Sequence, residues 1–322
     1  MRSILAIVCL LLVAPLVPAP HLAAAQVRLK VVSTVAPITN IVENVGGTRI
    51  DLEGLVPPGV DSHTFEPTPS DARKLAAADL IVVNGLALEG TTIELAQANL
   101  KPGARILELG PGTITRDQWV FDFSFPEDQG DPNPHVWMNP LFAARFAELT
   151  RDALVEMDPS NAGYYATNTE LFRARIDELD RLIQATARTI PEQNRKLLTY
   201  HDSFAYFSPR YGFKVIGAIQ PSDFSEPSPR EVAALIDQIR AEQVPAIFGS
   251  EVFPSPVLEQ IGRETGVRYY DELRDDDPPG EPGSPEHTYF GMLQFDMQLM
   301  ARALGGDPSP LDTFDPSNTF RP

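Results

Sequence analysis

The sequence predicts an α/β protein of two lobes with parallel-type sheets, joined by one long rigid helix. Three observations carry that prediction. Short apolar runs alternate with helical patterns in both halves of the 322-residue chain. Several runs, such as residues 80–83 and 197–200, are continuous rather than alternating, which suits parallel strands buried on both faces. Between the halves, Phe172, Ile176, Leu179, Ile183, Ala187 and Ile190 recur at steps of three or four and form one apolar stripe.

Residues 1–25 read as an address rather than as structure. Arg2 precedes an apolar run, and Ala23, Ala24 and Ala25 close it with small residues, as in a secretory signal peptide with its cleavage site. The run is too short to span a bilayer, and no stop-transfer segment follows. Cys9 lies inside the run after Val8 instead of closing it after a small residue, so no lipid anchor is expected. The expected location is the periplasm.

An N-terminal lobe then covers residues 26–157. Its expected strands are 27–32, 80–83 and 106–109, with a further short strand before residue 56. Its expected helices are 38–45, 70–77 and 140–157. Residues 158–191 form the linking helix. Asp158, Pro159 and Ser160 start it, Pro191 ends it, and it is roughly 45 Å long at the α-helical rise. The C-terminal lobe covers 192–305, with strands 197–200, 215–219 and 246–248 and helices 229–241 and 256–265. Strand-helix-strand alternation implies right-handed crossovers with helices on both faces of each sheet. Residues 306–322, rich in Pro, Asp and Ser, are expected to be a loose tail.

The chain carries 26 Lys and Arg against 44 Asp and Glu, a net charge of −18. That balance excludes nucleic acid as a partner, because little could neutralise a run of phosphates. Removing residues 1–25 removes Arg2, His21 and the single Cys but no acidic residue. The mature chain therefore has no cysteine, and any metal site must use nitrogen and oxygen donors.

Four histidines remain: His63, His135, His201 and His287. A single His is most often a surface or capping residue. Here three sit at element ends beside Pro and Gly, where α/β proteins place ligands. His63 lies in a turn-rich loop after a short strand, His135 just before a helix, and His201 at the end of strand 197–200. Asp271 closes the run Val267-Arg268-Tyr269-Tyr270 and is a fourth candidate. The four are each about seventy residues apart, so the fold rather than a local motif would assemble the site. Two precede the long helix and two follow it, which puts a metal between the lobes.

These stretches resemble the metal-binding substrate-binding proteins of zinc and manganese ABC transporters, the ZnuA/TroA-like family of cluster A-I. One family segment, G-x-x-x-H-x-x-E-P-x-P-S-D, is matched by Gly59, His63, Glu66, Pro67, Pro69, Ser70 and Asp71. A second, P-H-x-W-x-x-P, is matched by Pro134, His135, Trp137 and Pro140. A third is matched by His201, Asp202, Phe204, Tyr206 and Phe207, with Ser203 in place of Ala. Glu226, Pro227, Ser228, Val232, Leu235 and Ile236 match a fourth, and Tyr269, Asp271 and Leu273 a fifth. The resemblance runs from about residue 27 to 304. It implies one transition-metal ion in the interlobe cleft, held by His63, His135, His201 and Asp271. It also implies a membrane permease as partner, with a metallochaperone as a further one, and a monomer.

The sequence departs from the family in two places. Residues 120–134 hold Asp122, Glu127, Asp128 and Asp131 but no His, so the His-rich loop of many zinc members is missing. Asp271 is followed by Glu272, Asp275, Asp276 and Asp277, a run that reads either as a solvated loop or as the source of a competing carboxylate ligand. Three imidazoles and one carboxylate suit tetrahedral Zn²⁺, with Mn²⁺ as the alternative. Asp202 and Glu226 are candidates to orient ligand histidines, and His287 reads as a surface residue. Two rival functions follow from the same residues. A secreted zinc hydrolase needs an open coordination position and a general base, and no HExxH motif is present. A metal-binding adhesin would share the fold. The reading is therefore a transport protein, not an enzyme.

Overall fold

A computed structural model of the chain describes residues 28–220, 227–252 and 255–320. The signal peptide expected at residues 1–25 and the candidate Glu226 lie outside them. Two four-stranded, all-parallel sheets flank one long helix. The first sheet contains β1 (Leu29–Ser33), β2 (Ile50–Gly54), β3 (Leu80–Val83) and β4 (Arg105–Glu108), in the order β2-β1-β3-β4. The second contains β5 (Lys196–Thr199), β6 (Lys214–Ala218), β7 (Ala246–Ser250) and β8 (Arg268–Leu273), in the order β6-β5-β7-β8. The orders are the same with the numbers raised by four, so the lobes repeat one topology.

Helices cover both faces of each sheet. In the first lobe these are α1 (Ala36–Gly46), α2 (Pro69–Ala77), α3 (Gly90–Asn99) and α4 (Pro140–Met157). Then comes α5 (Ala162–Thr189), followed in the second lobe by the short α6 (Ser208–Tyr211), α7 (Pro229–Glu242), α8 (Pro256–Thr265) and α9 (Tyr289–Leu304). The fold class expected from the sequence is the observed one. Among the described residues three helices fall outside the expected set: α3, the short α6 and α9.

The stripe on α5 becomes a buried seam of Tyr165, Phe172, Ile176, Leu179, Ile183 and Ala187. It packs on α1, α4 and α9. One continuous core therefore runs from Val31, Ile38 and Trp137 through Phe172 and Leu179 to Ala246, Phe248 and Leu273. Each lobe adds a smaller outer core on its far sheet face. In the first it is built on Val32, Leu75, Ile81 and Val83, and in the second on Leu198, Ile216, Ile247 and Leu258. The inner faces of both lobes share their packing with α5, which opposes a wide hinge between them.

The segment after residue 305 is not loose. Leu311 and Phe314 are buried in the inner core. Asn40 and Asn44 of α1 each donate to Asn318 Oδ1 at 2.9 Å, and Thr319 N donates to Asn44 Oδ1 at 2.7 Å. Composition points to a tail, but two apolar side chains and one polar knot on α1 order it.

Candidate metal centre

His63 reaches the site from the loop that follows β2. Asp61 shapes that loop: its Oδ1 accepts from His63 N at 2.9 Å and its Oδ2 from Thr64 Oγ1 at 2.8 Å. This aspartate turn fixes the backbone on both sides of the imidazole. His135 is fully buried and opens the short turn before α4. Asn133 Oδ1 accepts from His135 N at 2.9 Å and lies 2.9 Å from His135 Nδ1. The Asn133 amide nitrogen is committed to donating, to Asp122 Oδ2 at 2.7 Å and to the Asp202 carbonyl. Its oxygen must therefore accept, the His135 proton sits on Nδ1, and Nε2 presents a lone pair.

His201 follows β5 and is also buried. The three Nε2 atoms converge: His63 to His135 at 3.1 Å, and His201 to His135 at 3.2 Å. They form a candidate metal-holding group. Asp271 does not join them. It is exposed on β8, at the point where the β7–β8 register slips between Phe248 and Ser250. The chain turns inward again at Leu273, and Asp275 supplies the carboxylate of the cluster. Its Oδ2 lies 2.7 Å from His201 Nε2 and 3.5 Å from His135 Nε2. Within residues 272–277, Asp275 is the carboxylate that the structure brings against the histidines. A change from exposed Asp271 and Glu272 to buried Asp275 and Asp276 is a property of the fold that one sequence does not display.

Aromatic side chains wall the cluster. The Phe125 ring packs 5.6 Å from His63 and 5.7 Å from His135, centre to centre. Trp137 is fully buried beside His135 and donates from Nε1 to the Asp275 carbonyl at 3.0 Å. Tyr289 of α9 donates its hydroxyl to the Trp137 carbonyl at 2.7 Å. An opening of about 140 Å³, lined in part by His63, Leu86, Phe125 and Asp131, leads to the His63 side.

Burial dominates the electrostatics. It lowers the His63 and His135 pKa values well below the ordinary one, and the neighbouring His201 lowers both further. Burial also works against the proton on His201, but the Asp275 carboxylate outweighs it and lifts the value to about 9. Two imidazoles are thus neutral, ready to donate lone pairs, and the third is paired with Asp275 as an imidazolium. Asp202 does not orient a histidine through its side chain. Its carboxylate has no hydrogen-bond partner among the described residues, and burial with nearby Asp122 pushes it up to about 7. Asn133 takes that orienting role, and Asp122 ties the 120–134 loop by accepting from Ser124 N and Phe125 N as well. His287 is half-buried and stands outside the cluster.

The sequence matches the family described as "Zinc-uptake complex component A periplasmic" over residues 31–303. The chain belongs to this family of metal-binding proteins of ABC transporters. It is 30% identical over 278 residues to the iron-binding protein YfeA of Yersinia pestis, covering 86% of this chain and 87% of that protein. It is 28% identical over 277 residues to the manganese-binding lipoprotein MntA of Halalkalibacterium halodurans, covering 86% and 88%. Among solved structures it superposes on the periplasmic zinc-binding protein TroA of Treponema pallidum with a TM-score of 0.78 at 29% identity, covering 86% of this chain and 99% of that one. A manganese-bound periplasmic protein from Candidatus Liberibacter asiaticus matches with a TM-score of 0.72 at 29% identity, covering 86% and 100%. The protein is accordingly the extracytoplasmic metal-binding component of an ABC transporter, a transport protein rather than an enzyme, and that role implies a permease and its ATPase as partners. Among the described residues no helix is long and apolar enough to cross a membrane.

Proposed function

We propose that this protein captures one Zn²⁺ ion per chain through His63, His135, His201 and Asp275 and delivers it to its permease. The observation that carries this reading is the spacing of the donor atoms. A tetrahedral ion with bonds of about 2.0–2.1 Å has ligand–ligand edges of about 3.3 Å. Four of the six edges, at 3.1, 3.2, 2.7 and 3.5 Å, scatter around that value, and the three imidazole donors lie within 4.8 Å of one another. Three imidazole donors, His201 among them once zinc displaces its proton, and one carboxylate favour zinc among abundant divalent ions. The protein acts as a periplasmic monomer, and a metallochaperone can load it. Capture involves small lobe shifts, because the shared core through α5 resists a wide opening.

A second reading, Mn²⁺ as the cargo, is supported by two observations. Several relatives are named for manganese. Asp276 adds a second buried carboxylate beside the cluster, and more oxygen suits manganese.

Metal-stripped mature protein, titrated with zinc against a chromophoric chelator, tests the ligand set. We expect one zinc per chain, at least about 100-fold weaker binding in Asp275→Ala, and less than about a twofold change in Asp271→Ala. The reverse ranking sinks the assignment. Elemental analysis after dialysis against equal zinc and manganese separates the two cargo readings.

A further inference from the structure

Asp275 donates from a loop, since β8 ends at Leu273. A loop ligand needs something to hold its backbone. Glu251, the first residue after β7, does so with one oxygen. Its Oε1 accepts from Asp275 N at 3.2 Å, Asp276 N at 3.1 Å and Asp277 N at 2.8 Å. Three successive N–H groups turned into one carboxylate form an anion nest, and all three donors are satisfied at once. Glu251 is itself fixed. Its backbone N–H donates to the Leu273 carbonyl at 3.1 Å, and its Oε2 accepts from Ser250 Oγ at 3.1 Å.

With the backbone pinned, the three side chains point in set directions. Asp275 Oδ2 meets His201. Asp276 Oδ2 accepts from Ser62 N at 3.2 Å, and Asp277 Oδ2 accepts from Gly59 N. Ser62 and Gly59 lie in the loop that carries His63. One carboxylate thus orients the metal donor of the second lobe and two contacts to the donor loop of the first.

We propose that Glu251 is a positioning residue of the metal centre, which sets the Asp275 donor and the interlobe contacts of Asp276 and Asp277 by accepting the three N–H groups of residues 275–277. This rests on the reading of Asp275 as a ligand. Glu251 does not touch the ion, so its removal misplaces a donor without deleting one.

The test compares Glu251→Ala, Glu251→Gln and Asp275→Ala in the full mature chain, stripped of metal. Zinc affinity comes from chelator competition, the ligand field from the visible absorption of the Co²⁺ form, and folding from circular dichroism and thermal melting without metal. Glu251→Ala should bind zinc about 10–100-fold more weakly and change the shape and intensity of the Co²⁺ bands. Glu251→Gln keeps an acceptor oxygen in the same place and should restore affinity to within about threefold and recover the wild-type spectrum. If the alanine variant fails to fold, Glu251→Asp, one methylene shorter, replaces it with the same expectation. Wild-type affinity and spectrum in Glu251→Ala, beside a weakened Asp275→Ala, overturn the inference and leave the ligand reading standing. A glutamine variant as weak as alanine also overturns it, because the effect would then not come from the acceptor. Undiminished zinc binding in Asp275→Ala removes the ligand reading instead.

Discussion

In the N-terminal sheet every strand pair keeps unbroken register, whereas the C-terminal sheet slips between Leu197 and Leu198 and again between Phe248 and Ser250. The slips lie on the strands that lead to His201 and Asp275, where an irregularity re-aims the chain. The first lobe places its donors differently, on loops tied by local turns at Asp61 and Asn133. Both lobes still use one device, a glutamate carboxylate that gathers backbone N–H groups after the equivalent strand. Glu89 follows β3, and its carboxylate accepts from Asn84 N at 2.8 Å, Gly85 N at 2.9 Å and Thr34 Oγ1 at 2.6 Å. Asn84 then donates from Nδ2 to the Pro134 carbonyl at 2.9 Å, one residue before His135. Burial raises the pKa of Glu89; burial aided by Asp275 raises that of Glu251 to about 7. The lobes therefore differ in regularity and in ligand protonation, while sharing the way a loop is anchored.

The largest effect expected of that difference is at His135. Its Nε2 is the atom the other two imidazoles approach, and Asn133 holds its ring. His135→Ala should weaken zinc binding by roughly three orders of magnitude, or about 4 kcal/mol. His63→Ala, at the partly exposed mouth, should cost roughly ten times less. Calorimetric or chelator titration of both decides the order, and a larger loss at His63 would put the centre of the site in the wrong loop.

Next comes the shared core. Leu179→Ala on α5 removes packing common to both lobes and should cost about 3 kcal/mol, with the protein still melting in one transition. Leu258→Ala in the outer core of the second lobe should cost about 2 kcal/mol, with loss of structure beginning in that lobe. Hydrogen exchange distinguishes them. If Leu179→Ala split the melt in two, the lobes would be independent units and the restriction on closure would fall.

The protonation difference makes a pH prediction. The His201 value of about 9 lies above the ordinary 6.5. Its pairing with Asp275 therefore stabilises the metal-free protein fully below about pH 6.5, and that contribution is lost as pH rises through about 9. Zinc must displace the same proton, so affinity should rise about tenfold per pH unit between pH 7 and 9 and level off above. His63 and His135, already neutral, add no slope in this window. Asp275→Asn should flatten the profile, and a steep profile in that variant would contradict the pairing.

Much of this was legible beforehand, and the failures have physical causes. The stripe on α5, the strand runs and the three histidines at element ends are local patterns, and each is realised. Helix α9 shows no stripe because it is buried on nearly every side, from Tyr289 and Phe290 to Met300 and Ala301. Helix α3 shows none for the opposite reason, burying little beyond Thr92 and Ala96. Asp271, at the end of an aromatic run, is the carboxylate that the local pattern favours. Which carboxylate of 271–277 turns inward depends on the β7–β8 slip and on Glu251, which is 24 residues away in sequence from Asp275. Such a long-range hydrogen bond leaves no periodic trace.

The smallest predicted effect sharpens the comparison of loop anchoring. Helices α2 and α7 begin with the same reciprocal cap. Thr68 N donates to Asp71 Oδ2 at 2.9 Å while Asp71 N donates to Thr68 Oγ1 at 3.4 Å. Ser228 and Glu231 repeat this at 2.7 and 3.4 Å. Each Ala substitution at the cap should cost about 1 kcal/mol in denaturant unfolding. Burial alone would raise the Asp71 pKa, but the Thr68 hydrogen bonds and Lys74 hold it below the ordinary value. Its contribution is therefore present above about pH 3.8 and lost as pH falls through the lowered value. Thr68 is five residues from His63 and Ser228 is remote in sequence from any ligand, so zinc affinity separates the two. If the Asp61 turn alone fixes His63, both variants should bind zinc within about twofold of wild type. A selective loss in Thr68→Ala would mean that the first lobe positions its mouth ligand through the helix that follows it, as the second lobe positions Asp275 through the strand that precedes Glu251.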